Sequence, residues 1–264
     1  MKLLQVCLLT AVLSACSSIA PKTEPASEDN IAGIAPGQPV SDTAPTLQAE
    51  PVPEEEFTEP LAPATSWDRV VRNFGLELDT SNSRVKRHMD WYIRHPRHLE
   101  QVSDRARRYL HYIASEVERR EIPGELALLP VVESAFDPFA YSHGRASGVW
   151  QFIPSTGRAY GLHQDWWHDG RRDIRSATNA ALNYLEYLAG RFDGDWMLAL
   201  ASYNSGAGTV RKAIRKNKRK GLDTDFWSLD LPKETRAYVP KLVAISYLLK
   251  HREDYDIAWR DIED

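Results

Sequence analysis

The chain has 264 residues, 42% of them hydrophobic and 27% charged, with a formal net charge of −4. Its two cysteines, Cys7 and Cys16, exclude a disulfide framework and a thiolate metal site, because Cys7 falls in a removable leader and Cys16 in a lipidation motif. The acidic excess is confined to one stretch near the N-terminus; from Trp67 onward the count is about +3, which suits an anionic polymer without demanding one.

Residues 1–15 have the layout of a secretory signal. Lys2 gives a positive start, and the apolar run that ends at Leu13 is too short to span a bilayer. Leu13-Ser14-Ala15-Cys16 resembles the bacterial lipobox, which implies cleavage before Cys16 and lipidation of its sulfur; an ordinary cleaved signal with a chance cysteine is the alternative. Ser17 follows rather than Asp, and by resemblance to enterobacterial sorting this implies an outer-membrane lipoprotein facing the periplasm. Export also argues against nucleic acid as a partner. Residues 16–66 are rich in Pro, Ala, Thr, Ser and Glu, and after Cys16 they carry nine acidic residues against Lys22 alone. So little apolar surface cannot offset ordering entropy, so the segment is expected to be a disordered tether.

Nearly everything after Trp67 reads as helix. Val85, His88, Met89, Tyr92 and Ile93 recur at helical spacing, and Pro96 suits the first turn of the next helix. The pattern predicts that helix to run on to about Arg120, with Ile122-Pro123-Gly124 stopping it, and a further one from Glu125 to about Ala135 bent by Pro130. Helices are also expected over 177–192, 196–203, 208–217 and 232–250. Residues 142–148 are small and polar and read as a loop, with any sheet minor and confined to that neighbourhood.

Glu133 stands out because Leu126-Ala127-Leu128-Leu129-Pro130-Val131-Val132 runs straight into it. A carboxyl in an apolar wall either finds a donor or keeps its proton with a raised pKa, and a protonated acid near neutral pH is what general-acid catalysis needs. A helix-end Glu on a solvated face is the other reading, and the local pattern favours neither.

Four ordered segments decide it: Val132-Glu133-Ser134-Ala135-Phe136, Gly148-Val149-Trp150-Gln151-Phe152, Ser202-Tyr203-Asn204-Ser205-Gly206 and Glu234-Thr235-Arg236-Ala237-Tyr238-Val239. Together they resemble the Glu-Ser, Gly-Leu-Met-Gln, Ala-Tyr-Asn and Glu-Thr-x-x-Tyr-Val motifs of family 1 (soluble-type) lytic murein transglycosylases. Leu128-Leu129-Pro130, Trp167 to Asp173 and Thr224 to Leu229 are similar to the membrane-bound D-type branch, whose usual C-terminal LysM repeats do not follow here. Ser202 in place of Ala, and Val149-Trp150 in place of Leu-Met, are expected to alter groove lining.

The resemblance implies a mainly α, lysozyme-like (α+β) fold, with a helical extension at 67–122 and a catalytic domain at 123–264. It implies non-hydrolytic cleavage of the MurNAc-β-1,4-GlcNAc bond of peptidoglycan to 1,6-anhydro-MurNAc ends, with no cofactor and no metal. Glu133 would be the lone catalytic acid and then the base. A lysozyme-type hydrolase and a non-catalytic wall-binding lipoprotein are the alternatives. Hydrolases need a second carboxylate; Asp137, Asp165, Asp169 and Asp173 are formal candidates, three of them in a polar loop better read as salt-bridged.

Substrate-binding roles follow by the same resemblance. Tyr238 would donate to Glu133 or to the N-acetyl group, unless it is a packed helical tyrosine. Ser142 would lie near the N-acetyl group, unless it is a turn serine. Gln151 would bind sugar amides or hydroxyls, since a Gln between Trp150 and Phe152 needs partners. Tyr203 and Asn204 would line the groove, with Asn204 alternatively a helix C-cap. Trp166 and Trp167 could stack on sugars, but core packing is the stronger expectation. The basic run from Arg211 to Lys220 reads as a solvated face, with peptide-stem carboxylates as the sharper alternative.

Overall fold

The computed structural model describes residues 65–257 and 259–263. The signal segment, Cys16 and all of the expected tether except its last two residues lie outside them. The described residues are mainly α. Ten α-helices are present among them, and pairing of β type is limited to isolated bridges, Tyr141 with Ser147, Ser147 with Phe152, and Gln164 with Asp169.

Side-chain caps set several of the helix starts. Helix α1 (Ser66–Arg72) begins where Thr65 accepts from the Asp68 amide, and α2 (Ser83–Arg94) where Asn82 accepts from Arg84. Helix α3 (Pro96–Ala106) carries Pro96 in its first turn, where the missing N–H costs nothing. The expected continuation to Arg120 is corrected: residues 107–109 form a turn, and α4 (Leu110–Arg119) starts afresh. Periodicity could not reveal this break. Leu99, Val102, Ala106, Leu110, Ile113 and Val117 keep helical spacing straight through it, and all six are buried.

The expected helix at 125–135 is likewise divided. A tight 3-10 helix, Gly124–Leu128, gives way to α5 (Leu129–Ser134), and Pro130 sits in the first turn of α5 rather than inside a bent helix. Glu125 anchors this corner. Its fully buried carboxylate accepts from the Gly75 amide at 3.0 Å and the Leu76 amide at 2.9 Å, tying the segment after α1 to the start of the Glu133 stretch.

The remaining helices are α6 (Pro154–Ala159), absent from the sequence reading, α7 (Ile174–Gly190), α8 (Trp196–Ser205), α9 (Ala207–Lys218) and α10 (Lys233–Lys250). Helix α10 is the axis of the core. It packs against α1, α2, α5 and α8, and buries Val239, Leu242, Val243, Ala244, Ile245, Leu248 and Leu249. Each such Leu or Ile contributes about 1.5–3 kcal/mol of transfer free energy. A helix so thoroughly enclosed tolerates Pro240 in its interior, because packing rather than an unbroken hydrogen-bond ladder holds it.

Candidate active site

Helix α5 ends abruptly. Ala135 and Phe136 both adopt left-handed backbone, at φ 51° and 58°, and the Phe136 amide returns to the Pro130 carbonyl at 3.1 Å. Two consecutive non-glycine residues in that region are costly, by about 1–3 kcal/mol each, and persist only where the surroundings enforce them. Here the buried Phe136 ring anchors the reversal. Ser134 adds a tie, its Oγ donating to the Val149 carbonyl at 3.0 Å. Glu133 is thereby held at the end of a rigid turn, facing a cavity of about 550 Å³.

All six residues expected in the site line this cavity: Glu133, Ser142, Gln151, Tyr203, Asn204 and Tyr238. Tyr238 Oη donates to Glu133 Oε1 at 2.6 Å. Glu133 keeps some exposure toward the cavity, but protein atoms crowd its carboxyl, and that desolvation raises its pKa from the usual carboxylate range to about 7. The Tyr238 hydrogen bond and the charge of Lys241 pull the other way, while Glu234 adds to the rise. Burial, reinforced by Glu133, pushes the Tyr238 phenol well above its ordinary range, so it remains a donor throughout the neutral region. A carboxyl balanced near pH 7 can both give and take a proton there.

The other four side chains are partly committed within the protein. Gln151, itself at φ 48°, donates its amide to the Gly148 carbonyl at 2.8 Å and the Ala140 carbonyl at 3.2 Å, which leaves its oxygen as the group to meet a ligand. Tyr203 lines the cavity with its Oη donating to the Trp150 carbonyl at 2.9 Å, and burial, reinforced by Glu133, pushes its phenol well above the ordinary range. Ser142 Oγ accepts from the Ala146 amide at 3.0 Å, a turn contact at the cavity edge. Asn204 is the penultimate residue of α8, whose C-cap is Gly206; its side-chain oxygen accepts from Thr235 Oγ1 at 2.8 Å and its amide nitrogen donates to Glu234 Oε1 at 3.4 Å. The C-cap alternative for Asn204 is thus corrected to a cross-link between α8 and α10.

The loop over 145–152 is clamped from outside the cavity. Arg171, buried, pairs with Asp169 through Nε and Nη2 and donates from Nη1 to the carbonyls of Arg145 at 2.7 Å and Phe152 at 3.0 Å. Gly148 sits at φ 80°, and a Cβ there would overlap the Arg171 carbonyl oxygen.

Several expectations are corrected. Ser202, Val149 and Trp150 are buried and line no part of the cavity, so the departures at these positions alter the core; Trp150 Nε1 donates to Thr178 Oγ1 at 3.0 Å. Trp166 and Trp167 are 87% and 91% exposed rather than packed in the core, because the polar turn beneath them is closed by Asp165, which accepts from the Trp167 and His168 amides. None of Asp137, Asp165, Asp169 and Asp173 lines the cavity; all four accept backbone amide hydrogen bonds close by in the chain. The basic residues of α9 lie outside it too, most of them exposed and Lys216 paired with Asp230.

The sequence reading gave no role to Glu234 or Lys241. With Tyr238 they stand at i, i+4 and i+7 along α10, one face of a helix, and that spacing was the available signal. Tyr184, from α7, also lines the cavity and could not have been placed from local pattern.

With this geometry in hand, similarity to known proteins becomes informative. Residues 111–226 match the family described as "Transglycosylase SLT domain". Over 176 residues, 67% of this chain and 39% of the relative, the sequence is 51% identical to "Membrane-bound lytic murein transglycosylase D" of Escherichia coli (strain K12). It is 33% identical over 129 residues, 47% of this chain and 24% of the relative, to "Membrane-bound lytic murein transglycosylase F" of Desulfosudis oleivorans. An X-ray structure of an inactive mutant of the lytic transglycosylase Slt from Pseudomonas aeruginosa is similar at TM-score 0.42 and 22% identity, covering 58% of this chain and 26% of that one. The chain thus spans well under half the length of these relatives. Within that span, it carries a transglycosylase SLT domain.

Proposed function

We propose that the protein cleaves the MurNAc-β-1,4-GlcNAc bond of peptidoglycan without water, leaving 1,6-anhydro-MurNAc ends. The observation that carries this reading is Glu133, raised to about pH 7 in a cavity where Tyr238 donates to it. The names of the relatives, lytic murein transglycosylases, supply the substrate class.

The steps balance on one carboxyl. Protonated Glu133 gives its proton to the glycosidic oxygen, the C1–O bond breaks, and the substrate's own N-acetyl oxygen stabilises the positive charge at C1. Glu133, now ionised and held by Tyr238, takes the proton from the MurNAc C6 hydroxyl. The C6 oxygen closes on C1, and Glu133 is protonated again. The oxygen of Gln151 and the side chain of Tyr203 orient the sugars, Ser142 borders the N-acetyl group, and Asn204 fixes α8 to α10. No cofactor or metal enters the scheme.

Because Tyr238 favours the ionised form of Glu133, Tyr238→Phe should shift the fall of kcat/KM with rising pH to higher pH. It should also lower kcat/KM at neutral pH by about ten- to a hundredfold, the value of a hydrogen bond to a charged group. A pH–rate profile of the two proteins checks both statements, and an unshifted limb would remove Tyr238 from this role.

Glu234 supports a second reading. It is another carboxylate in the same cavity, so a hydrolase using two acidic groups has the residues it needs. Mass spectrometry of muropeptide products separates the two, since anhydro and hydrolysed ends differ by one water. On the transglycosylase reading, Glu234→Gln leaves anhydro products and activity within about tenfold; on the hydrolase reading it costs about 10²–10⁴-fold.

At the cell level, we infer a lipoprotein acylated at Cys16 and held to the outer membrane on its periplasmic side. The Leu13-Ser14-Ala15-Cys16 motif and the membrane-bound relatives support this. Among the described residues, no helix is long and apolar enough to cross a membrane.

A further inference from the structure

A second cavity, of about 430 Å³, opens where α2 and α3 face α5 and α10. It shares Val132 and Lys241 with the site cavity, so the two adjoin, with these residues between them. His88, Trp91 and His98 line it together with the apolar Val131 and Ala135. Nothing in the proposed reaction uses these groups.

The two adjoining cavities differ in electrostatic character. The site end carries two carboxylates, Glu133 and Glu234, whereas no acidic side chain lines the second cavity. Beyond Trp91 and His98 lies a further depression of about 520 Å³ that adds Arg94 and Arg97, again with no acidic side chain. Lys241, Arg94 and Arg97 form no ion pair among the described residues, nor does Arg105, whose charge acts on His98. Burial first, then Lys241 and Arg87 facing His88, and Arg105 and His95 facing His98, hold both imidazoles below their ordinary range. An arriving carboxylate would therefore meet Arg94 and Arg97, which hold no ion pair, Lys241 at the edge shared with the site, and two rings able to gain a proton.

Trp91 supplies the platform. Its indole is stacked on His95 at 4.5 Å and met edge-on by His98 at 5.2 Å, yet it is 41% exposed. A fixed, half-open aromatic face in a cavity also lined by Val131, Val132 and Ala135 suits a short peptide with small apolar side chains and free carboxylates. A further run of sugar rings is neutral and would leave the cations unanswered.

We propose that this second cavity binds the carboxylate-bearing peptide stem of the same glycan strand whose sugars fill the site cavity, with Trp91, His98 and Lys241 as its contacts. The proposal rests on the peptidoglycan reading and adds what that reading lacks, a way for the protein to sense the stem.

The test uses the full chain carrying Glu133→Gln, so that ligands are not consumed, and calorimetric titration with two probes: a GlcNAc–MurNAc disaccharide bearing an acidic tetrapeptide stem, and the same disaccharide without it. The stem-bearing probe should bind at least tenfold more tightly. Trp91→Ala and His98→Ala, added separately, should each weaken that probe about tenfold or more while changing the stem-free probe less than twofold. Trp91 is exposed enough that its loss should spare the fold, which circular dichroism checks. Equal affinity for both probes, equal weakening of both by the variants, or no weakening of either, each overturns the stem site. The wall-cleaving reading is judged separately, by whether the unmutated chain generates anhydro ends from stem-free glycan strands.

Discussion

Glu133→Gln is expected to lower kcat/KM on peptidoglycan by at least about 10³-fold, toward the upper end of what general acid–base groups contribute. The upper end applies because one carboxyl serves twice, as acid toward the glycosidic oxygen and then as base toward the C6 hydroxyl. Gln keeps the shape of the side chain and an oxygen that Tyr238 can still donate to, so the cavity should survive and binding should change little. The loss should therefore appear in kcat rather than KM. Activity within tenfold of the unmutated protein would displace Glu133 from the mechanism. The pH behaviour gives an independent check. With Glu133 raised to about 7, the fraction able to act as acid falls as pH rises through that value, and kcat/KM should fall with it. Stability follows the same group. A carboxyl whose folded pKa is raised above its unfolded value supports the fold while protonated and loses that support as pH rises through about 7. The Gln variant, which never ionises, should consequently be the more stable of the two at pH 8 and no more stable at pH 4, as urea denaturation at both values would show.

Much of this was legible in the sequence because two kinds of signal are local. The apolar run into Glu133 marks a carboxyl in an awkward environment, and the enclosure of α10 is written in its nearly continuous apolar stretch from Tyr238 to Leu249. The break at 107–109 was invisible for the converse reason: Ala106 and Leu110 are both buried on one continuing stripe, and neither proline nor glycine marks the turn. Trp166 and Trp167 show the limit of composition. Bulky apolar residues are usually inside, but a turn closed by Asp165 and flanked by His163 and His168 turns these two outward. Roles within the cavity were harder still. The Tyr203 hydroxyl is held by the Trp150 carbonyl, 53 residues away in the chain, and no periodicity encodes that. The same holds for Glu234, a motif residue whose neighbourhood with Glu133 arises only when α10 packs on α5.

Gly148→Ala should be the most damaging small substitution outside the cavity's own lining, destabilising the protein by about 3 kcal/mol or more, a large share of the 5–15 kcal/mol typical of a domain. Two costs combine. At φ 80° an alanine backbone is strained, by about 1–3 kcal/mol. The added Cβ would also overlap the Arg171 carbonyl oxygen, which is backbone and cannot rotate away. Nor can residue 171 easily retreat. Its amide donates to Asp169, and its guanidinium is fixed by Asp169 and by the carbonyls of Arg145 and Phe152, the two ends of the loop that Gly148 belongs to. The clamp that makes the loop rigid therefore leaves it unable to absorb one methyl group. If the chain still folds, the loop must move as a unit, carrying Gln151, which hangs from the Gly148 carbonyl. A displacement of about 1 Å in such a positioning group can cost on the order of 10²-fold in rate. Gly208→Ala is the matched control: that position lies in the first turn of α9, has no positive φ, and its Cβ would meet nothing within 4 Å, so stability and kcat/KM should both hold. Urea midpoints and kcat/KM for the pair decide the matter, because equal behaviour of the two variants would mean that the loop yields where the packing of Gly148 on Arg171 requires it to be rigid.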